Sequence, residues 1–145
     1  MARVSTYLNF NGNTEQAFVF YRSVFGGEFS GGIRRFRDVP VAPGQPPMPA
    51  DTLNLVVHVE LPLLGGHVLM GTDAPQSMGF TVQAGNNVHI NLEPDTRAQA
   101  QQLFNALAEG GTVDMPLQDM FWGAYYGSLT DRFGIHWMVN CESKE

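Results

Sequence analysis

The sequence predicts an α+β fold built from two copies of one module, each a strand, a helix and three further strands (βαβββ). Two observations carry this. His89-Ile90-Asn91-Leu92 repeats the pattern of Tyr7-Leu8-Asn9-Phe10 at an offset of 82 residues, and Asp95-Thr96 falls where Asn13-Thr14 fell. Both stretches lead into a helical pattern that stops at a double glycine, Gly26-Gly27 in the first copy and Gly110-Gly111 in the second. The same order, cap chemistry and stop, met twice, mark an internal duplication. Module one covers about residues 1–75 and module two about 85–145, within a single domain spanning 1–145. A chain of that length buries about two-thirds of its unfolded surface.

In chain order, Arg3 to Phe10 alternate, with Leu8 and Phe10 on one face and Tyr7 and Asn9 on the other, as a half-buried strand requires. Asn11-Gly12 turns the chain, and Asn13 is placed to cap a helix with Gln16 reaching back. Ala17, Phe18, Tyr21, Val24 and Phe25 then recur at helical spacing. Glu28 to Phe36 reads as a strand interrupted by a bulge at Gly31-Gly32. Five of the nine prolines lie between Asp38 and Asp51, so that segment is expected to be a stiff loop, neither helix nor central strand. Loops of that length are commonly functional, and this one is expected to act as a lid over the aromatic stretch Phe121–Tyr126. Leu53 to Leu61 reads as a strand, and Pro62 to Gly66 turns it into another, His67 to Thr72. Asp73 to Asn87 is irregular.

Module two opens on His89 to Leu92. Its helix carries Ala98, Ala100, Leu103, Phe104 and Leu107, and three strands follow: Thr112 to Leu117, Trp122 to Thr130, and Ile135 to Cys141. Asp131 to Gly134 supplies the backbone freedom for the last reversal.

Composition narrows the function. Fourteen acidic residues against eight basic give a net charge of −6. That balance offers no basic stripe for nucleic acid, since Arg34, Arg35 and Arg37 form only a short cluster. No apolar run reaches the roughly 20 residues of a membrane span, and Met1 to Val4 enters a strand pattern without a signal-peptide core, so a cytoplasmic protein is expected. The one cysteine, Cys141, forms no internal disulfide or multi-cysteine zinc site and reads as a small packed hydrophobe. Phosphate-binding glycine loops, dinucleotide fingerprints and nucleophile elbows are absent.

The closing run carries a resemblance. Phe121-Trp122-Gly123, then Asp131-Arg132-Phe133-Gly134, then Trp137-Met138 resembles the last hairpin of PhnB-like proteins of the vicinal oxygen chelate superfamily, with glyoxalase I, bleomycin-binding proteins and fosfomycin-modifying enzymes. The resemblance covers nearly the whole chain. It implies two βαβββ modules forming an open, barrel-like mixed sheet with the helices outside, the glyoxalase/bleomycin resistance-like fold. Some PhnB-like proteins are labelled ubiquinone-pathway methyltransferases, but no glycine-rich nucleotide loop here supports that chemistry.

In metal-dependent relatives four ligands line the concave face, one on the first and one on the last strand of each module, usually two His or Gln and two Glu. His89 matches the first-strand ligand of module two. The repeat puts Tyr7 at the equivalent place in module one, or Thr6 on a one-residue slip. Counting from the Asp131–Gly134 turn puts Met138 where the last glutamate belongs, and the remaining position falls near Met70. A phenol and two thioethers suit a divalent ion poorly, so the site resembles one that has lost its metal, and no cofactor is expected. His58 and Glu60 on one strand face, with His67 across the next turn, form a rival metal cluster on spacing alone.

If Trp137 and Val139 face the helix, then His136, Met138 and Asn140 face the cleft by the two-residue strand period. Tyr125 and Tyr126 split between faces; Tyr125 stands with Phe121 and Trp122 as wall candidates, and Phe104, Phe133 and Trp137 as core. The candidate ligand-contacting set is therefore Tyr7, Asn9 and Met70 from module one, and His89, Asn91, Phe121, Trp122, Tyr125, His136 and Met138 from module two. Such walls suit a flat or apolar small molecule held by a few polar groups. The expected protein is a metal-free, homodimeric small-molecule binder. A glyoxalase-like metal-dependent lyase, isomerase or transferase is the alternative, and a structural or interaction module the third reading.

Overall fold

Side-chain alternation is clearest in the paired first and last strands of each copy, such as Val68–Asp73 and His136–Cys141. In the computed structural model, which describes residues 2–145, β1 (Thr6–Phe10) buries Phe10 and exposes Tyr7 and Asn9. After α1 (Thr14–Phe25) come β2 (Arg34–Arg35), a helical turn α2 (Ala50–Leu53), β3 (Val56–Pro62) and β4 (Val68–Asp73). The second copy holds β5 (Ile90–Leu92), α3 (Arg97–Ala108), β6 (Thr112–Asp119), β7 (Tyr125–Thr130) and β8 (His136–Cys141). The chain divides into two units, one ending at Gln83 and one running from Ala84 to Glu145. Each holds a four-stranded mixed sheet, in the orders β1-β4-β3-β2 and β5-β8-β7-β6. In each, the first strand pairs in parallel with the last and the remaining pairs are antiparallel.

One helix covers one face of each sheet. An added Cβ at Gly71 of β4 would lie 2.3 Å from the Phe18 ring of α1, and one at Gly127 of β7 would lie 2.8 Å from the Phe104 ring of α3. Aromatic faces thus reach the sheet backbone itself, which only glycine permits. Tyr21, Val59, Leu61 and Leu69 complete the first core, and Leu107, Leu129, Trp137 and Val139 the second. Among the described residues no helix is long and apolar enough to cross a membrane.

Several boundaries differ from the sequence reading. Most of Glu28–Phe36 is not strand: Gly31 and Gly32 take φ of +75° and +71°, the Gly32 N–H returns to the Phe29 carbonyl, and only Arg34–Arg35 pair with β3, across a register shift. The proline-rich segment is irregular up to Pro49, but Ala50–Leu53 form a helical turn, so β3 begins at Val56 rather than Leu53. Pro49 is the last proline of the run, and nothing beyond it forbids a helix.

Helix α1 is not capped by Asn13, whose side chain makes no capping bond. Asp73, buried at the end of β4, does that work: its Oδ1 accepts the Gly12 N–H (3.1 Å), the Thr14 N–H (3.1 Å) and the Thr14 hydroxyl (2.6 Å), while Oδ2 accepts the Val56 N–H (2.8 Å). A carboxylate makes stronger, charge-assisted bonds than an amide does. In α3 the expected cap holds, with the Gln99 N–H donating to Thr96 Oγ1 at 3.1 Å.

The second unit also buries an acid, Asp131, which organises the β7–β8 turn rather than a helix start. Its Oδ1 accepts from the Phe133 and Ile135 N–H groups, and Oδ2 from Trp137 Nε1 at 2.9 Å. Hydrogen bonds to a buried charged group contribute about 1.5–3 kcal/mol each. Asp131→Ala is therefore expected to cost at least about 3 kcal/mol, read as a lowered urea midpoint, with Asp131→Asn losing distinctly less.

At the edge of the first unit Arg35 donates twice to Glu15, at 2.9 and 3.1 Å, and holds the Glu15 carboxyl below its ordinary value chiefly through that hydrogen bond. The folded value lies below the unfolded one, so the pair's contribution is present above the unfolded value and lost as pH falls through the folded one. Both side chains are substantially exposed, which keeps the effect small. Acid titration of Glu15→Gln is expected to show a slightly flatter stability profile below pH about 4.5 than the parent.

Candidate functional site

Each sheet has one face left open by its own helix, and strand alternation decides which side chains stand there. In β8 the buried set is Trp137, Val139 and Cys141, which leaves His136, Met138 and Asn140 on the open face, as the two-residue period predicts. In the first unit the same alternation sets Leu69, Gly71 and Asp73 inward and Val68, Met70 and Thr72 outward.

Strand register then says which residues meet. Tyr7 pairs with Met70, and Met70 with Glu60, so one row crosses β1, β4 and β3 on the open face. In the second unit Asn91 pairs with Met138, and Met138 with Ser128. Carrying that parallel register back one residue sets His89 beside His136, and their rings lie 5.3 Å apart. Met70 and Met138 are therefore not equivalent positions. The counterpart of the Tyr7–Met70 pair is His89–His136, two residues earlier than counting from the Asp131–Gly134 turn suggests. The parity of β1 also sets Tyr7, not Thr6, on the open face; Thr6 bonds His67 instead.

His136 anchors the polar network of the second unit. Its Nδ1 lies 2.9 Å from Thr130 Oγ1, which lies 2.9 Å from Asp114 Oδ2, and the one hydroxyl hydrogen of Thr130 is shared between these two contacts. Its Nε2 lies 2.7 Å from the Gly85 carbonyl. A carbonyl oxygen only accepts, so Nε2 carries the hydrogen of that contact. Both nitrogens of His136 are thus engaged. Those of His89 make no hydrogen bond among the described residues, and His89 and Asn91 are exposed.

The first unit gathers a smaller cluster. The rings of Tyr7 and His58 lie 5.9 Å apart, and His58 Nε2 is 3.5 Å from Glu60 Oε2. His67 does not join them, since its Nε2 lies 2.8 Å from Thr6 Oγ1. The rival cluster of His58, Glu60 and His67 is therefore split.

The aromatic candidates separate by face. Phe121 and Trp122 occupy the β6–β7 turn, 96% and 55% exposed, with rings 4.8 Å apart. Tyr125 lies on the helix side: its hydroxyl donates to Gln101 Oε1 at 2.8 Å, and the Arg97 guanidinium stacks over its ring. Tyr126, paired with Asn140, stands on the open face, 6.3 Å from the Trp122 ring. The open-face residues the sequence reading missed are Tyr126, Ser128, Thr130 and Asp114. Counting back by twos from Leu129, an evident core residue, reaches Gly127 and Tyr125 and so leaves Tyr126 to the open face.

The donor set does not fit the divalent ion of metal-dependent relatives. The first unit offers a phenol and a thioether at the equivalent places, and in the second only His89 keeps uncommitted nitrogens. No group of three or more His, Cys, Asp or Glu among the described residues is arranged to hold a metal.

A sequence model described as the Glyoxalase/Bleomycin resistance protein/Dioxygenase superfamily matches residues 3–139. Among solved structures, protein PA1353 from Pseudomonas aeruginosa is 39% identical, covers 98% of both chains and superposes with a TM-score of 0.80. A PhnB protein from Bacillus cereus is 26% identical over 97% of this chain and 99% of its own, with a TM-score of 0.72. Protein YjdN of Escherichia coli (strain K12) is 28% identical over 94% of this chain and 93% of its own.

The His136 contact with Gly85 has a direct readout. Residues Gln76 to His89 are all exposed, so His136→Phe, which removes both polar contacts, is expected to speed proteolytic cleavage within that stretch. Global stability is expected to fall by no more than about 1.5 kcal/mol. Limited proteolysis with mass mapping, set beside urea unfolding, checks both.

Proposed function

The chain belongs to the glyoxalase/bleomycin resistance protein/dioxygenase superfamily, and on that premise we propose that it is a PhnB-like small-molecule-binding protein. In this reading it works without a bound metal and takes a neutral or cationic ligand in preference to an anionic one. One observation carries the proposal. The open-face rows of β5, β8 and β7 hold amides, a thioether, hydroxyls, an imidazole and a phenol, but no lysine or arginine. The charged group bonded into them is Asp114. A phosphate or phosphonate would meet no fixed cation on that face, whereas a planar or cationic molecule meets Tyr126, Trp122 and a carboxylate. Likeness to the Bacillus cereus PhnB protein supports the branch.

Aromatic contact with a cation contributes about 0.5–2 kcal/mol, so affinity also needs the hydrogen bonds of His89 and Asn91. The reading includes a two-fold homodimer, the commonest closed assembly, formed along an exposed strand edge such as that of β6, where Val113 and Met115 are exposed.

Trp137 is fully buried and Trp122 exposed, so emission changes at the red edge report on the site. A panel of neutral and cationic aromatic compounds is expected to give saturable quenching that aryl phosphonates do not. His89→Ala and Tyr126→Ala are each expected to weaken a hit about tenfold, or about 1.4 kcal/mol. A stoichiometric metal ion in the purified protein that is lost on His89→Ala would overturn the metal-free reading. A monomer in light scattering at micromolar concentration overturns the assembly.

A further inference from the structure

The turn between β1 and α1 carries the one Asn-Gly sequence in the chain, Asn11-Gly12. Asparagine followed by glycine is the pair most open to spontaneous deamidation, because no side chain at the second residue hinders attack by its backbone nitrogen. Both residues are exposed, and a Cβ placed on Gly12 would meet nothing within 4 Å. Solvent, space and sequence all favour the reaction, yet one contact opposes it: the Gly12 N–H is held by Asp73 Oδ1 at 3.1 Å.

We propose that Asn11 is a covalent-modification site whose conversion to aspartate or isoaspartate is gated by the Asp73 carboxylate. In the reaction Gly12 N gives its proton to solvent base and attacks Asn11 Cγ. A C–N bond forms, the Cγ–Nδ2 bond breaks, and ammonia leaves with a proton drawn from solvent. Water then adds to one carbonyl of the resulting five-membered imide and reopens it, leaving a carboxylate either on the side chain or, as isoaspartate, within the main chain. The nucleophile is the deprotonated nitrogen. While Gly12 N–H points at Asp73, removing its proton sets an amide anion about 3 Å from a carboxylate, a like-charge pair that raises the barrier.

The gate is held by more than one bond. The same carboxylate accepts from Thr14 N, Thr14 Oγ1 and Val56 N, so Gly12 is released only when the start of α1 lifts from the end of β4. Modification is then one-way. The product adds a negative charge beside Asp73, and isoaspartate lengthens the main chain by one methylene between β1, which carries Tyr7 and Asn9, and the helix. Closure of the gate cannot re-form as it was.

The test is mass spectrometry of the peptide containing Asn11 during incubation at mildly alkaline pH, with hydrogen exchange of the Gly12 amide followed in parallel. The folded protein is expected to deamidate at Asn11 at least about tenfold more slowly than the same chain in urea, with Gly12 exchange slowed alongside it by the cost of local opening. In Asp73→Asn, which keeps an acceptor but not the charge, the Asn11 rate is expected to rise several-fold while the far-ultraviolet circular dichroism and the Tyr21 environment of the first core remain those of the folded state. If that variant does not fold, Thr14→Ala, which loosens the carboxylate by one bond, is expected to give a smaller rise. Equal rates in folded and unfolded chains, or a folded variant of either kind with no acceleration, overturn the proposal.

Discussion

Two buried carboxylates, one in each unit, hold the repeat together. A buried ionised group is costly unless hydrogen bonds surround it, and both Asp73 and Asp131, each 3% exposed, are surrounded by donors that the fold would otherwise leave without strong acceptors. Asp73 joins the end of β4 to the first turn of α1 and the start of β3. Asp131 joins the end of β7 to the following turn and to the Trp137 indole. With the helix and strands tied at one point, Phe18 comes to rest on Gly71, the parity of β4 follows, and Met70 faces outward. In the first unit the open face is thus set from the opposite side of the sheet, where Asp73 lies.

Periodicity made much of this legible. The offset between Tyr7 and His89 located both first strands, and the buried alternation of β8 was readable from Trp137 and Val139. Long-range partners were not. Nothing local to Asn13 says that a carboxylate sixty residues away outcompetes its amide, and nothing in the glycines at 31 and 32 says whether they bulge a strand or end it. Those outcomes depend on tertiary contacts that a window of sequence does not contain.

For the candidate residues, the strand face was legible but the register was not. Asn9, Met70, Asn91, His136 and Met138 all fall on the open side, because parity needs only one known core residue per strand. Pairing needs the count through each turn. An error of two residues in that count preserves parity, so Met138 stood where His136 belongs without any conflict in the pattern. Between Tyr125 and Tyr126 the error was of one residue, which changes the face altogether.

Alternation within β8 also bears on how such a chain can change over evolutionary time. Trp137, Val139 and Cys141 answer to packing against α3, while His136, Met138 and Asn140 answer to whatever occupies the other side. Neighbouring residues thus meet different physical demands, one set answering to the core and the other to the open face. An imidazole, a thioether or a carboxylate can stand at an outward position without altering the packing against α3. One scaffold can then bear a family name that joins a glyoxalase, a resistance protein and a dioxygenase.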